Sequence, residues 1–162
     1  MKKYFLIPIT FCFFFLNTEA QKTDKKLYAK VAALLNGFNG DVGVYIKNLT
    51  TNKTVAINAD TVFPTASIVK IPILIGIMDK IERKFFDYHQ QLIYRDSLAY
   101  SSFDVTANLK DTARIEMAKV IMLMLTTSDN TASLWLQSIA GTGTKINEIL
   151  NKIGLVNTRV NS

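Results

Sequence analysis

Between Asp24 and Phe38 the apolar residues Leu27, Val31, Leu34, Leu35 and Phe38 return at helical spacing. Asp24 is placed to cap that helix at its start, and Gly37 and Gly40 close it. The period then changes. Val42, Val44 and Ile46 alternate with Gly43, Tyr45 and Lys47, and Val55 and Ile57 alternate again after the polar "NLTTNK". This pattern predicts a β-hairpin with a turn of about four to six residues. A lone hairpin is marginal in water, so it must lie in a larger sheet or under a helix.

From Ser67 the chain returns to helical spacing through Ile71, Leu74, Ile75, Ile77 and Met78 toward Arg83. Pro72 falls in the second turn of the predicted helix, where it removes a backbone donor and is expected to bend the axis. The polar, aromatic-dotted stretch from Phe86 to Lys110 reads as loops with short helices. A strong helix is predicted from Thr112 to Thr126, its interior filled by Ile115, Met117, Val120, Ile121, Met122 and Leu125. After "TTSDN" another helix runs through "TASLWLQSIA" to Gly141. A last one, capped by Thr144, runs through "KINEILNKI" and stops at Gly154. The order is one helix, one hairpin and then helices only. A two-stranded sheet with no later strand is an incomplete architecture, so the chain reads as the N-terminal part of a longer protein.

The first twenty residues stand apart from this pattern. "MKK" is a positive start, "YFLIPITFCFFFL" an apolar run, and "NTEA" ends on a small residue before Gln21. That is the anatomy of a secretory signal peptide, and the run is short of the roughly 20 residues of a membrane span. The expected mature chain, 21–162, is periplasmic or secreted and not stably inserted in a membrane. Losing Lys2, Lys3 and Glu19 lowers its formal charge from +6 to +5. It also loses Cys12, the only cysteine, so disulfides and thiolate metal sites are excluded from it. The remaining positive charge is scattered, with no basic stripe carrying interleaved aromatics, which argues against nucleic acid as a partner. A single histidine, His89, lies in the polar "DYHQQ" and reads as a solvated loop residue. One histidine and no cysteine argue against a zinc enzyme, and no cofactor is expected.

Candidate chemistry is concentrated in two short segments. In "FPTASIVKIPIL" a serine and a lysine stand three residues apart, so Ser67 and Lys70 share a face if the helix starts at Ser67. There Ser67 sits where free N–H groups and the helix dipole stabilise negative charge, a setting suited to a nucleophile. Alone, the pair also reads as ordinary surface polar residues. In "SDNTA" the Asp129–Asn130 pair also reads as the cap of the following helix. The two segments together, in this order and each at a helix start, are more specific than either.

"FPTASIVK" and "MLTTSDNTASLWL" resemble the serine β-lactamase and penicillin-binding protein superfamily, closest to class A β-lactamases. The hairpin resembles the first strands of that family's sheet, and "GLVNTRVNS" resembles the approach to its Ω-loop. The resemblance implies an α/β fold of the β-lactamase/transpeptidase type, an antiparallel sheet with helices and an all-helical subdomain, here without its C-terminal strands. Residues 21–162 would be the N-terminal portion of one catalytic domain, acting as a monomer. It further implies that Ser67 attacks a carbonyl, Lys70 is the general base, Ser128 relays a proton to the leaving nitrogen and Asn130 holds the substrate's side-chain amide and orients Lys70. The residues themselves suggest that Ile68, Val69 and Ile71 contribute to the burial of Lys70 inside a closed site. The implied substrate is a small molecule, a β-lactam or a D-alanyl peptide; a non-catalytic penicillin-binding module shares the same motifs. Two departures stand out. No K-T-G occurs, since "NKTV" belongs to the hairpin, and the class A lead-in Leu-Asp-Arg is replaced after "TR" by Val160, Asn161 and Ser162.

Overall fold

The computed structural model describes residues 22–161, so the signal-peptide segment lies outside the described residues. The chain divides into two compact units, one ending at Thr61 and the other beginning at Val62.

In the first unit helix α1 spans Lys25–Leu35, and the Asp24 carboxylate accepts the Leu27 N–H at 3.0 Å, the expected N-cap. The hairpin forms as its alternation predicts. Strand β1, Val44–Lys47, pairs antiparallel with β2, Thr54–Ile57, with Val44 opposite Ile57 and Lys47 opposite Thr54. Asn48 organises the turn by accepting the N–H groups of Thr50 and Thr51 at 3.0 and 2.9 Å. Thr54 also exchanges backbone hydrogen bonds with the segment before α1, donating to Lys22 and accepting from Asp24 at 2.9 and 2.8 Å. The hairpin thus gains a short parallel neighbour at Thr23.

The second unit holds the apolar core. Residues Ala66–Val69 wind as a 3₁₀ turn and helix α2 follows from Lys70 to Glu82. This corrects the α-helical start expected at Ser67. It also places Pro72 in the first turn of α2, where its missing N–H takes no bond from the helix. A strand at Gln91–Ile93, β3, then pairs antiparallel with Arg114–Glu116, β4. The pairing overturns the expectation of helices only after the hairpin. Two strands of three residues carry too little alternation to be read, and Thr112, at φ +65°, adopts a left-handed conformation that cannot start a helix. Helix α3 therefore begins at Met117 and runs to Thr126.

Helix α4, Asn130–Ala140, is the centre of the unit, packed against α2, α3 and the last helix, α5, which spans Thr142–Lys152. Ala132, Trp135, Leu136 and Ala140 of α4 meet Ile73 and Ile77 of α2, Val120 and Met124 of α3, and Ile146 and Leu150 of α5, all buried. Each large aliphatic side chain sealed in this way contributes roughly 1.5–3 kcal/mol. Tyr94 packs edge-on against Trp135, ring centroids 5.9 Å apart. Gly141, at φ +101°, ends α4 and directly precedes α5. Helix α5 thus starts three residues earlier than predicted, and Thr144 lies inside it rather than capping it.

The segment after α5 is held by one side chain. Asn147 accepts the Val160 N–H at 2.8 Å and donates to the Val160 carbonyl at 2.9 Å. Gly143 lets this segment approach, for a Cβ there would lie 2.4 Å from the Val160 oxygen. Because that obstacle is backbone, no rotamer change relieves it. Gly143→Ala is expected to cost about 2 kcal/mol, within the usual range for overpacking. Hydrogen exchange should show the Val160 amide losing its protection, and an unchanged Val160 exchange rate would contradict this packing.

Candidate functional site

The site grows from two strained turns. Ala66, at φ +44°, and Ser128, at φ +57°, are non-glycine residues in left-handed conformations, each worth about 1–3 kcal/mol of strain. Ala66 delivers the chain into the 3₁₀ turn that carries Ser67. With three residues per turn, positions i and i+3 eclipse one another, so Ser67 and Lys70 line up more closely than in an α-helix. Ser128 ends the connection between α3 and α4, and Asn130 is the first residue of α4.

These turns bring all four sequence-predicted residues into one hydrogen-bonded cluster. Lys70 is 4% exposed, and its ammonium donates to Asn130 Oδ1 at 2.9 Å, Ser128 Oγ at 3.0 Å and Ser67 Oγ at 3.3 Å. Three acceptors satisfy its three N–H donors. The two serine hydroxyls also contact each other directly, Oγ to Oγ, at 2.9 Å. Lys70 is buried as expected, and of its expected neighbours Ile68 and Ile71 are themselves 68% and 51% exposed, forming the wall of a cleft that Lys70 also lines.

The start of α4 is fixed by two carboxylates. Asp129 is its N-cap, with Oδ1 accepting from the Ala132 N–H at 2.7 Å and Oδ2 from the Thr106 N–H at 2.8 Å. Asp104 accepts the backbone N–H groups of Asn130 and Thr131 at 3.2 and 2.9 Å, and the Thr131 hydroxyl at 2.8 Å. The capping reading of "SDN" is therefore true of Asp129, while Asn130 turns its side chain to Lys70. Sequence reasoning missed Asp104, Thr131 and Tyr100. Asp104 and Tyr100 lie in the aperiodic stretch 86–110, where nothing marks one polar residue over another. His89, by contrast, is exposed as expected, and it pairs with Glu116.

Two clefts open on the cluster, and Ser67 and Lys70 line both. One, of about 240 Å³, is bounded by Tyr100, Asn130, Ser133 and Gln137. The other, of about 270 Å³, is walled by the apolar side chains of Ile68, Ile71, Met124 and Leu125 together with Ser128. An exposed hydroxyl thus stands between a recess of mixed polar and apolar lining and a mainly apolar one, beside a buried cation and a second hydroxyl. That arrangement can activate a nucleophile and pass a proton to a leaving group. Among the described residues no group of three or more histidine, cysteine or carboxylate side chains could hold a metal ion.

Comparison with known proteins bears on the family and the fold. Residues 26–162 match the β-lactamase enzyme family. The chain is 24% identical over 153 residues to β-lactamase VEB-1 of Pseudomonas aeruginosa, covering 93% of this chain and 50% of that one. Its fold superposes on the solved structure of PBP-A with a TM-score of 0.80 at 25% identity, covering 88% of this chain and 54% of PBP-A. A mutant of PBP-A, solved as an acyl-enzyme complex with penicillin G, matches with the same TM-score at 26% identity and the same coverage. The fold is thus of the β-lactamase/transpeptidase type, and the chain spans about half the length of these relatives.

The Asp104 carboxyl responds to opposing effects. Burial pushes its pKa up, but the Thr131 hydroxyl, the N–H groups of Asn130 and Thr131 and the Lys70 cation together hold it below the ordinary 3.8. With the folded value depressed, its contribution to stability is complete above the unfolded value near 3.8 and is lost as pH falls through the lower folded value. The stability margin of the parent protein over Asp104→Asn should therefore be steady near neutral pH and shrink on acidification past that point. Urea unfolding of both proteins across that range measures it; a margin that grew on acidification would reverse the sign.

Proposed function

The chain belongs to the β-lactamase enzyme family, and on that premise we propose that it supplies the nucleophile of a serine hydrolase that opens β-lactam rings. The observation that carries the reading is the hydrogen-bonded quartet of Ser67, Lys70, Ser128 and Asn130. Ser67 Oγ attacks the lactam carbonyl carbon while its proton passes to Lys70. Lys70 takes this step as the free amine, one proton short of the ammonium whose three donors are satisfied in the resting cluster. The carbonyl π electrons move onto oxygen, and the Ser67 N–H, in the first turn of its helix, donates to that oxyanion. As the oxyanion collapses the C–N bond breaks. Lys70 returns a proton to Ser128 Oγ, whose own proton goes to the departing nitrogen. The net transfer is one proton from Ser67 to the ring nitrogen and one acyl group onto Ser67. Asn130 holds Lys70 through Oδ1 and leaves its amide N–H₂ to the substrate's side-chain carbonyl.

A second reading keeps the same first steps with D-alanyl peptides as substrates. The departure of "TRVNS" from the class A lead-in favours it; the penicillin G acyl-enzyme of the PBP-A mutant is compatible with both readings. The two differ in how long the acyl group stays. Both act outside the cytoplasm if residues 1–20 are removed on export, with Gln21 as the new N-terminus; N-terminal sequencing of the exported protein checks this, and retention of Met1 would refute it.

Incubation of the protein as the cell makes it with a penicillin should add one drug mass to the peptide containing "TASIVK". Ser67→Ala should abolish the adduct, and Lys70→Ala should slow its formation by roughly a hundredfold or more, the scale for loss of a general base. Because "TRVNS" departs from the class A lead-in to a deacylating glutamate, the adduct is expected to be released, but more slowly than by an efficient class A β-lactamase. Mass spectrometry over time separates the readings: release with repeated turnover supports the hydrolase, and an adduct that is never released supports the peptidase. Labelling at any residue other than Ser67 would overturn both.

A further inference from the structure

Asp104 takes no part in the chemistry above, yet it is 8% exposed and its carboxylate accepts three hydrogen bonds beside the cleft. Its Oδ1 accepts the Asn130 N–H, and its Oδ2 accepts both the N–H and the hydroxyl of Thr131. With its proton directed to Asp104, the Thr131 hydroxyl presents a lone pair, which accepts the Tyr100 N–H at 2.9 Å. One carboxylate therefore fixes the first two residues of α4 and, through a single buried hydroxyl, the backbone of Tyr100. Asn130 and Tyr100 line the same cleft. A helix needs one N-cap, and Asp129 already supplies it. Burying a second carboxylate at that helix start costs desolvation, and what the second one adds is the placement of particular residues.

The placement runs to the reacting atom in three contacts. Asp104 holds the Asn130 backbone, Asn130 Oδ1 accepts from Lys70 Nζ, and Lys70 Nζ reaches Ser67 Oγ. We propose that Asp104 is a positioning residue of the acylation site, keeping Asn130 on Lys70 and, through Thr131, holding Tyr100 as a wall of the cleft. The proposal deepens the acyl-enzyme reading and rests on it. Asp104 touches no substrate atom; it acts through Asn130 and Thr131.

Asp104→Asn preserves side-chain volume but turns an N–H₂ group toward backbone donors. In the protein as the cell makes it, this variant should remain folded by circular dichroism while its acylation rate constant with benzylpenicillin falls about a hundredfold, the scale of a 1 Å displacement of a reacting group. A merely structural role predicts lower stability with the folded protein acylated at the parental rate, and that result overturns the proposal. Adding Asp104→Asn to Asn130→Ala should slow acylation little further, because the effect travels through Asn130. Fully multiplicative losses would overturn that route. If the parent protein takes up no penicillin, the acyl-enzyme reading fails by itself. The positioning claim is then decided by a crystal structure of Asp104→Asn: the Lys70 Nζ to Asn130 Oδ1 distance, 2.9 Å here, should open beyond about 3.5 Å, and its retention would overturn the claim.

Discussion

A buried ammonium has three donors and tolerates none left empty, and the arrangement around Lys70 follows from that requirement. Ser67, Ser128 and Asn130 each supply one acceptor, from a 3₁₀ turn, a strained connection and a helix start. Leaving one of these donors unpaired would cost about 1–3 kcal/mol or more, since the group is charged. That cost is of the same order as the strain at Ala66 or Ser128, which the satisfied cation helps to offset. A structural demand and a chemical one coincide, because the three acceptors that satisfy the cation are also the groups that handle the proton.

The helices keep this cluster in register. Lys70 begins α2 and Asn130 begins α4, and these two helices bury their apolar faces against each other through Ile73, Ile77, Ala132 and Leu136. Gly76 permits a close approach of α2 to α5, since a Cβ there would lie 2.8 Å from Ile146. Core packing thus sets the distance between the two helix starts, and the polar cluster sets only the final ångström.

How much of this the chain reveals as a sequence depends on the range of the interactions. Period alone suffices for α1, the hairpin and α4, and local capping chemistry identifies Asp24, Gly141 and Gly154. Ser67, Lys70, Ser128 and Asn130 are legible because their spacing is a motif. Strands β3 and β4 are not, for three residues hold too few alternations, and their pairing joins positions more than twenty residues apart. Asp104 is hidden for a related reason. Its partners Asn130 and Thr131 lie across the fold, and an aspartate in an aperiodic loop looks the same whether it meets solvent or a helix start.

The double contact between Asn147 and Val160 imitates a strand pair with a single side chain. Near its other end the segment is tied by the Leu155 N–H on the Leu150 carbonyl at 2.9 Å, so its contour length is set between two fixed posts. Just past the second post, the Asn161 carbonyl accepts from Gln137, which lines the cleft beside Tyr100 and Asn130. Insertion or deletion of one residue between Leu155 and Val160 would change which carbonyl reaches Gln137. In a family alignment this stretch should therefore vary in composition while holding its length, as a tight hairpin turn does.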